Sequence, residues 1–244
     1  MNRRRVLIDA GNTCLKWAVV EDGTWRAQGR SDYVDWAALT VQLTAGTPCF
    51  ISSVASTAHE QQLATLLEAA GSSAHWLAAE ADFAGVKNSY LNPLQLGADR
   101  WMGLIAARQR TREPVLVVSV GTAMTVDALA ADGVFLGGVI VPGVNLMRQA
   151  LRQGTARIAD AMGHWQAFPR STADAVASGI VAALCGAIRQ QHARLAEASA
   201  TLPHCLLTGG DAGMVLPHLA LSAEQVAALV LEGVDCVARE RMAR

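Results

Sequence analysis

Charge is scarce in this sequence, and what there is nearly cancels. Asp, Glu, Lys and Arg make up 17% of its 244 residues, and the formal net charge is −1. Without a long run of Lys or Arg, a nucleic-acid or membrane-surface partner gets no electrostatic support. A 52% apolar content excludes disorder and is ample for one large core or two ordinary ones. Aromatic residues are few, and the six tryptophans are scattered. They read as core or interface anchors rather than a base-stacking platform. The five cysteines, Cys14, Cys49, Cys185, Cys205 and Cys236, are odd in number and form no CxxC pair. Reduced core thiols are therefore expected, and the six histidines show no HExxH or zinc spacing. Long apolar runs are also missing. The longest, Ala175 to Ile188, falls short of the roughly 18 residues of a membrane span and reads as a buried helix. Behind Arg3, Arg4 and Arg5 the apolar run ends at Asp9, too short for an export signal. These absences predict a cytoplasmic protein with no nucleic-acid or membrane partner.

What the chain does have is alternation. Short β-branched runs at 6–9, 15–20, 49–54, 115–119, 125–129, 134–141 and 205–208 alternate with helical patterns, which predicts an α/β fold. Thr57 and Glu60 suggest a capping box for a helix stopping near Gly71, and a second helix follows Gly97. A long helix is expected from Ser171 or Thr172 toward Ala198. Ser222 and Gln225 suggest a last one running to the C-terminus. Glu113-Pro114 is the expected seam between two halves, 1–113 and 114–244. An internal echo supports it. With Gly11 set against Gly121, Leu7, Ile8, Val19, Asp22, Gly23 and Trp25 face Val117, Val118, Leu129, Asp132, Gly133 and Phe135. Each half thus reads as strand, glycine loop, strand, Asp-Gly turn and strand, which predicts duplicated lobes.

The glycine loops carry the candidate chemistry. In "LIDAGNTCLKW", a strand delivers Asp9 to its end, Gly11 permits close backbone approach, Asn12 and Thr13 supply polar side chains, and Lys16 lies within reach of a phosphate. An acid there suits magnesium bound to ATP phosphates, although a short D-x-G-N-T can also be an ordinary Asx turn. It is neither a Walker loop nor a GxGxxG fingerprint. The second loop, "VVSVGTAMTVD", places Thr122, Thr125 and Asp127 beside Gly121, with Ser119 standing where the first half has Asp9. In "TGGDA", Gly209 and Gly210 would let backbone pass a flat ligand such as adenine. Gly137-Gly138 and Pro142-Gly143 read as a bulge and a turn. In "YLNPLQLGADRW", Asp99 and Arg100 sit at a helix start. They read either as an acid favoured by the helix dipole or as a general base beside a guanidinium that holds a carboxylate.

The ordered series DxGNTxxK, YxxPxxLGADRW, GTAxTxD, GGxIxPGxxLM, TxxAxxSG and TGGDA resembles the type III pantothenate kinase family from Asp9 through Ala212. The resemblance implies two duplicated actin/ribonuclease H-like lobes with a nucleotide cleft between them. It also implies ATP-dependent phosphorylation of pantothenate to 4'-phosphopantothenate, the first step of coenzyme A synthesis. On it, ATP is held by Asp9, Ala10, Gly11, Asn12, Thr13, Cys14, Leu15, Lys16 and Thr122. Pantothenate is held by Tyr90, Gly97, Ala98, Asp99, Arg100 and Thr172, with Asp99 as catalytic base. Asp9 takes magnesium directly or through water, and the chain works as a homodimer sharing part of the substrate pocket. The family also uses potassium or ammonium. The family's Asp for that ion is Ser119 here, so the resemblance carries no charged ligand onto this position. The competing reading is a non-catalytic ATP-binding regulator of the same fold, a transcription accessory protein.

Overall fold

The computed structural model describes residues 4–155, 158 and 162–243. Its strands in chain order are β1 (Arg5–Ala10), β2 (Cys14–Glu21), β3 (Thr24–Asp32), β4 (Pro48–Ser53), β5 (Ser73–Leu77), β6 (Asp82–Phe83), β7 (Val86–Asn88), β8 (Val115–Val120), β9 (Ala123–Leu129), β10 (Val134–Pro142), β11 (His204–Thr208) and β12 (Glu224–Gln225). The helices are α1 (Ala37–Thr40), α2 (Thr57–Ala69), α3 (Ala98–Arg110), α4 (Val144–Gly154), α5 (Thr172–Ser199), α6 (Ala212–Val215) and α7 (Leu229–Ala243).

Two compact units result, one of Met1–Arg110 with Ala228–Arg244 and one of Thr111–Ala227. Both repeat one sheet topology. In the first the strand order is β3-β2-β1-β4-β5, and in the second β10-β9-β8-β11-β12. In each, the first three strands are antiparallel neighbours and the fourth joins the first strand in parallel. The shift that sets Gly11 on Gly121 also carries the bounds of β1 and β3 onto those of β8 and β10. Asp22 and Gly23, and Gly133 in the second unit, take positive φ in the connecting turns.

Strand alternation divides each sheet into two faces. In the first unit Val6, Ile8 and Ala10 join Leu15, Trp17, Ile51, Leu63 and Leu67 in a core under α2. Leu7 and Asp9 therefore lie on the opposite face. In the second unit Leu116, Val118 and Val120 pack with Ile180, Leu184 and Ile188 of α5. By length and apolarity alone α5 could cross a membrane, which the shorter run at Ala175–Ile188 did not suggest; its inward face instead belongs to this core.

Several expectations need correction. The cap of α2 is Ser56, whose Oγ accepts from the His59 N–H, while Glu60 instead accepts from Ser53 Oγ at 2.6 Å. Ser222 and Gln225 start no helix: Glu224–Gln225 is a parallel edge strand, and α7 begins at Leu229. That helix also belongs to the first unit, so the division at 113/114 misassigns it; Arg244 lies outside the described residues. Two contacts explain its place. Buried Arg5 on β1 donates to Asp235 Oδ1 from Nε and Nη2 at 2.9 and 2.6 Å. Gly233 lets α7 cross α3 at backbone distance, since an added Cβ would meet Met102 O at 1.9 Å. Removing one partner of a buried ion pair typically costs about 3–5 kcal/mol, so this anchor is strong even though forming it also costs desolvation.

Candidate active site

Asp9, the penultimate residue of β1, lies on the face away from the α2 core. It pairs in register with Lys16 on β2 and Ser52 on β4, so these three side chains share one row across the sheet. Loss of water pushes the Asp9 carboxyl up to about 7; the Lys16 ammonium lowers it and the Asp99 carboxylate raises it further. Beyond Asp9 the chain turns tightly. Gly11 N–H donates to Cys14 O at 3.1 Å, leaving Asn12 and Thr13 exposed at the tip. Ala10 and Leu15 are buried core residues, and Cys14 is partly buried at the start of β2. Leu15 can therefore offer a ligand only its backbone.

The YLNPLQLGADRW segment lies in the same unit. Asp99 sits in the first turn of α3, and its Oδ1 accepts the Arg100 N–H at 2.8 Å. Gly97 makes this possible, because a Cβ there would stand 2.8 Å from that oxygen. Burial raises the Asp99 carboxyl above its ordinary value, outweighing the opposing bond and charge from Arg100. Arg100 is buried, and its Nη1 donates to Tyr90 Oη at 2.9 Å with the guanidinium 5.7 Å from the ring centre. Asn88, which the sequence reading missed, shapes this loop. Its amide accepts from Tyr90 N–H at 3.1 Å and donates to Pro93 O at 3.2 Å. An Asn two residues before the tyrosine, the spacing of an Asx turn, was the available signal.

Thr122, Ser119 and Thr172 belong to the second unit. Its glycine loop is one residue shorter than the first: Gly121 N–H donates to Ala123 O at 3.1 Å, two residues on, where Gly11 N–H reaches Cys14 O, three residues on. Ser119 pairs in register with Thr125 and Thr208, so a row of hydroxyl residues stands where the first unit has Ser52, Asp9 and Lys16. Thr172 is the first residue of α5, next to the Ser171 cap, and lines an apolar groove with Pro142, Met147, Leu151 and Val176. Gly209, expected to pass an adenine, has a backbone reason as well: at φ +98° an added Cβ would lie 2.1 Å from Val120 O.

Magnesium fits the first unit on its own chemistry. No group of three or more His, Cys, Asp or Glu gathers among the described residues. One desolvated carboxylate with Ser52 Oγ buried and lacking a protein partner beside it suits an ion that keeps water and phosphate as its other ligands. For a monovalent cation the second unit's row offers neutral hydroxyls at Ser119, Thr125 and Thr208.

The family model described as "Type III pantothenate kinase" matches residues 5–194. This chain belongs to the type III pantothenate kinase family. A Thiobacillus denitrificans protein of that name is 63% identical over 239 residues, covering 98% of both chains. One from Aromatoleum aromaticum is 43% identical, covering 96% of this chain and 98% of its own. Among solved structures, a Sinorhizobium meliloti protein assigned as a 2-dehydro-3-deoxygalactonokinase superposes with TM-score 0.64 at 17% identity, over 97% of this chain and 99% of its own. A Campylobacter jejuni protein assigned to the Baf family of transcriptional activators gives 0.63 at 18%, over 98% and 100%. These structural likenesses bear on the fold alone.

Proposed function

We propose that this chain transfers the γ-phosphoryl group of ATP to the primary hydroxyl of pantothenate, giving 4'-phosphopantothenate at the start of coenzyme A synthesis. The observation that carries the reading is one unit holding a desolvated Asp99 beside the Arg100–Tyr90 pair, with Asp9 close enough to feel its charge. Asp99 accepts the hydroxyl proton as the oxygen attacks, and its raised proton affinity makes it the better base. Arg100, oriented by Tyr90, holds the substrate carboxylate. Lys16 and the backbone N–H groups of Asn12 and Thr13 at the loop tip stabilise charge on the transferring group. Asp9 would hold magnesium, which would supply neutralisation of the phosphate charge when bound. The test is a coupled assay of the purified chain with ATP, magnesium and pantothenate. Pantothenate-dependent ADP release is expected; none at any potassium concentration refutes the reading.

A non-catalytic regulatory role is not favoured, because Asp9, Lys16, Asp99 and Arg100 are all present and the net charge is −1. A cytoplasmic homodimer is part of the proposal. The groove beside Thr172, of about 540 Å³ and mostly apolar, continues into exposed Leu146 and Leu151 of α4, a face suited to a second copy that would share Thr172 in the substrate pocket. Light scattering should give twice 25.7 kDa, and an active monomer would remove this part.

The monovalent cation is predicted to bind weakly at Ser119. A hydroxyl gives one neutral oxygen where a carboxylate gives charge and up to two oxygens. Ser119→Asp should reach half-maximal activation at lower potassium than the natural chain. Identical titrations would mean that position 119 is no cation ligand.

A further inference from the structure

The two glycine loops are fastened from outside by equivalent backbone bonds. Ala10 O accepts from Val54 N–H at 3.0 Å, and Val120 O from Asp211 N–H at 3.1 Å, each donor lying just past the neighbouring parallel strand. The second loop has another tie: Gly143 N–H donates to Thr122 O at 2.9 Å. Gly143 also lies so close that an added Cβ would stand 2.0 Å from Gly121 O. In the alignment that sets Gly11 on Gly121, the partner of Gly143 is Tyr33. Both directly follow the third strand of their unit.

Tyr33 fastens its own loop by a different bond. Its hydroxyl donates to Gly11 O at 2.5 Å. The ring is stacked on His59 of α2, centroids 3.7 Å apart and planes 3° apart, and tilted against Trp36 at 6.0 Å. Burial, with the nearby Cys14, Asp9 and Glu60, pushes the Tyr33 hydroxyl up to about 12, so it remains a donor throughout the working range.

We propose that Tyr33 is a positioning residue for the phosphoryl donor: its hydroxyl holds the Gly11 carbonyl away from the nucleotide so that the loop presents N–H groups to the phosphates. A carbonyl oxygen facing a phosphate repels it, whereas successive N–H groups make an anion-binding concavity. Where the second unit uses the Gly143 backbone amide, the first uses the Tyr33 side chain, and the His59 stack stiffens it. The inference rests on the kinase reading above and adds a residue to its donor side.

The test is Tyr33→Phe, which keeps the ring and its stacking and removes only the hydroxyl. KM for ATP should rise about 3- to 10-fold, the range spanned by one net hydrogen bond, with KM for pantothenate unchanged within twofold. His59→Ala should move KM for ATP in the same direction by a smaller factor. A purely structural role would lower the melting temperature and leave the ratio of the two KM values unchanged, which overturns the proposal. Calorimetry of magnesium–ADP binding to the natural chain and Tyr33→Phe separates the two readings. Tighter binding by the natural chain supports Tyr33 even if pantothenate proves not to be the acceptor. Equal binding, or no binding by either, overturns it.

Discussion

Replacing Asp99 with Asn is expected to lower kcat on the order of 10²–10⁴-fold, the usual worth of a positioned general base, with nucleotide binding preserved. The substitution is close to isosteric. An Asn oxygen can still accept the Arg100 N–H that Asp99 Oδ1 accepts at 2.8 Å, and Gly97 still leaves it room. The start of α3 should therefore survive while proton acceptance is lost. The pH profile gives a second reading. Burial lifts the Asp99 carboxyl, so the acid limb of kcat/KM should lie above the range of an ordinary aspartate, and the residual activity of the variant should lack that limb. Near-normal turnover would reduce Asp99 to a helix-starting residue.

The second large effect is expected at Asp9, and it has opposite signs for activity and stability. Asp9→Asn should lose most turnover and most of the stabilisation that magnesium–ATP confers, because the chain then has no charged oxygen in the row with Lys16 and Ser52. Yet without metal or nucleotide the variant should be the more stable protein at pH 8. The folded-state value of about 7 lies above 3.8, so the carboxyl favours the fold while protonated. That contribution is complete below about pH 4 and is lost as pH rises toward 7. At about 1.4 kcal/mol per unit, the difference from the neutral variant is on the order of a few kcal/mol at pH 8 and vanishes near pH 4. Urea unfolding in a chelating buffer at both pH values measures it. Equal stabilities at pH 8 would show that Asp9 keeps its water in the fold. A desolvated carboxylate that weakens the empty protein is what a cation-bound phosphate site requires, since the ion supplies the missing compensation.

Much of this was legible in the sequence because it is local. Strand alternation, the Asp-Gly turns and the two glycine loops depend on residues a few positions apart, and the echo between the halves foretold that β8 and β10 would repeat β1 and β3. The helix start at Asp99 and Arg100 was legible in the GADRW motif. What escaped were partners set by distance in the chain. Arg5 finds Asp235 across 230 residues, and only that bond with the Gly233 crossing reveals the home of α7. Ser222 and Gln225 have the spacing of a capping box, but pairing of Glu224 and Gln225 with β11 overrides it. Tyr33 carried no motif at all; its role appears only when the turn after β3 is set beside the turn after β10.

The return of α7 imposes an order of assembly on the ribosome. Residues 111–227 form their unit from one unbroken stretch and can close it during synthesis. The stretch made first cannot do the same. Arg5, on the strand that carries Asp9, has no counter-charge at 235 until residues 228–244 emerge. The sheet that presents the first glycine loop is thus translated before the second unit and completed after it. Stop codons or nicks within residues 228–244 should strike nucleotide binding at the distant loop that follows Asp9.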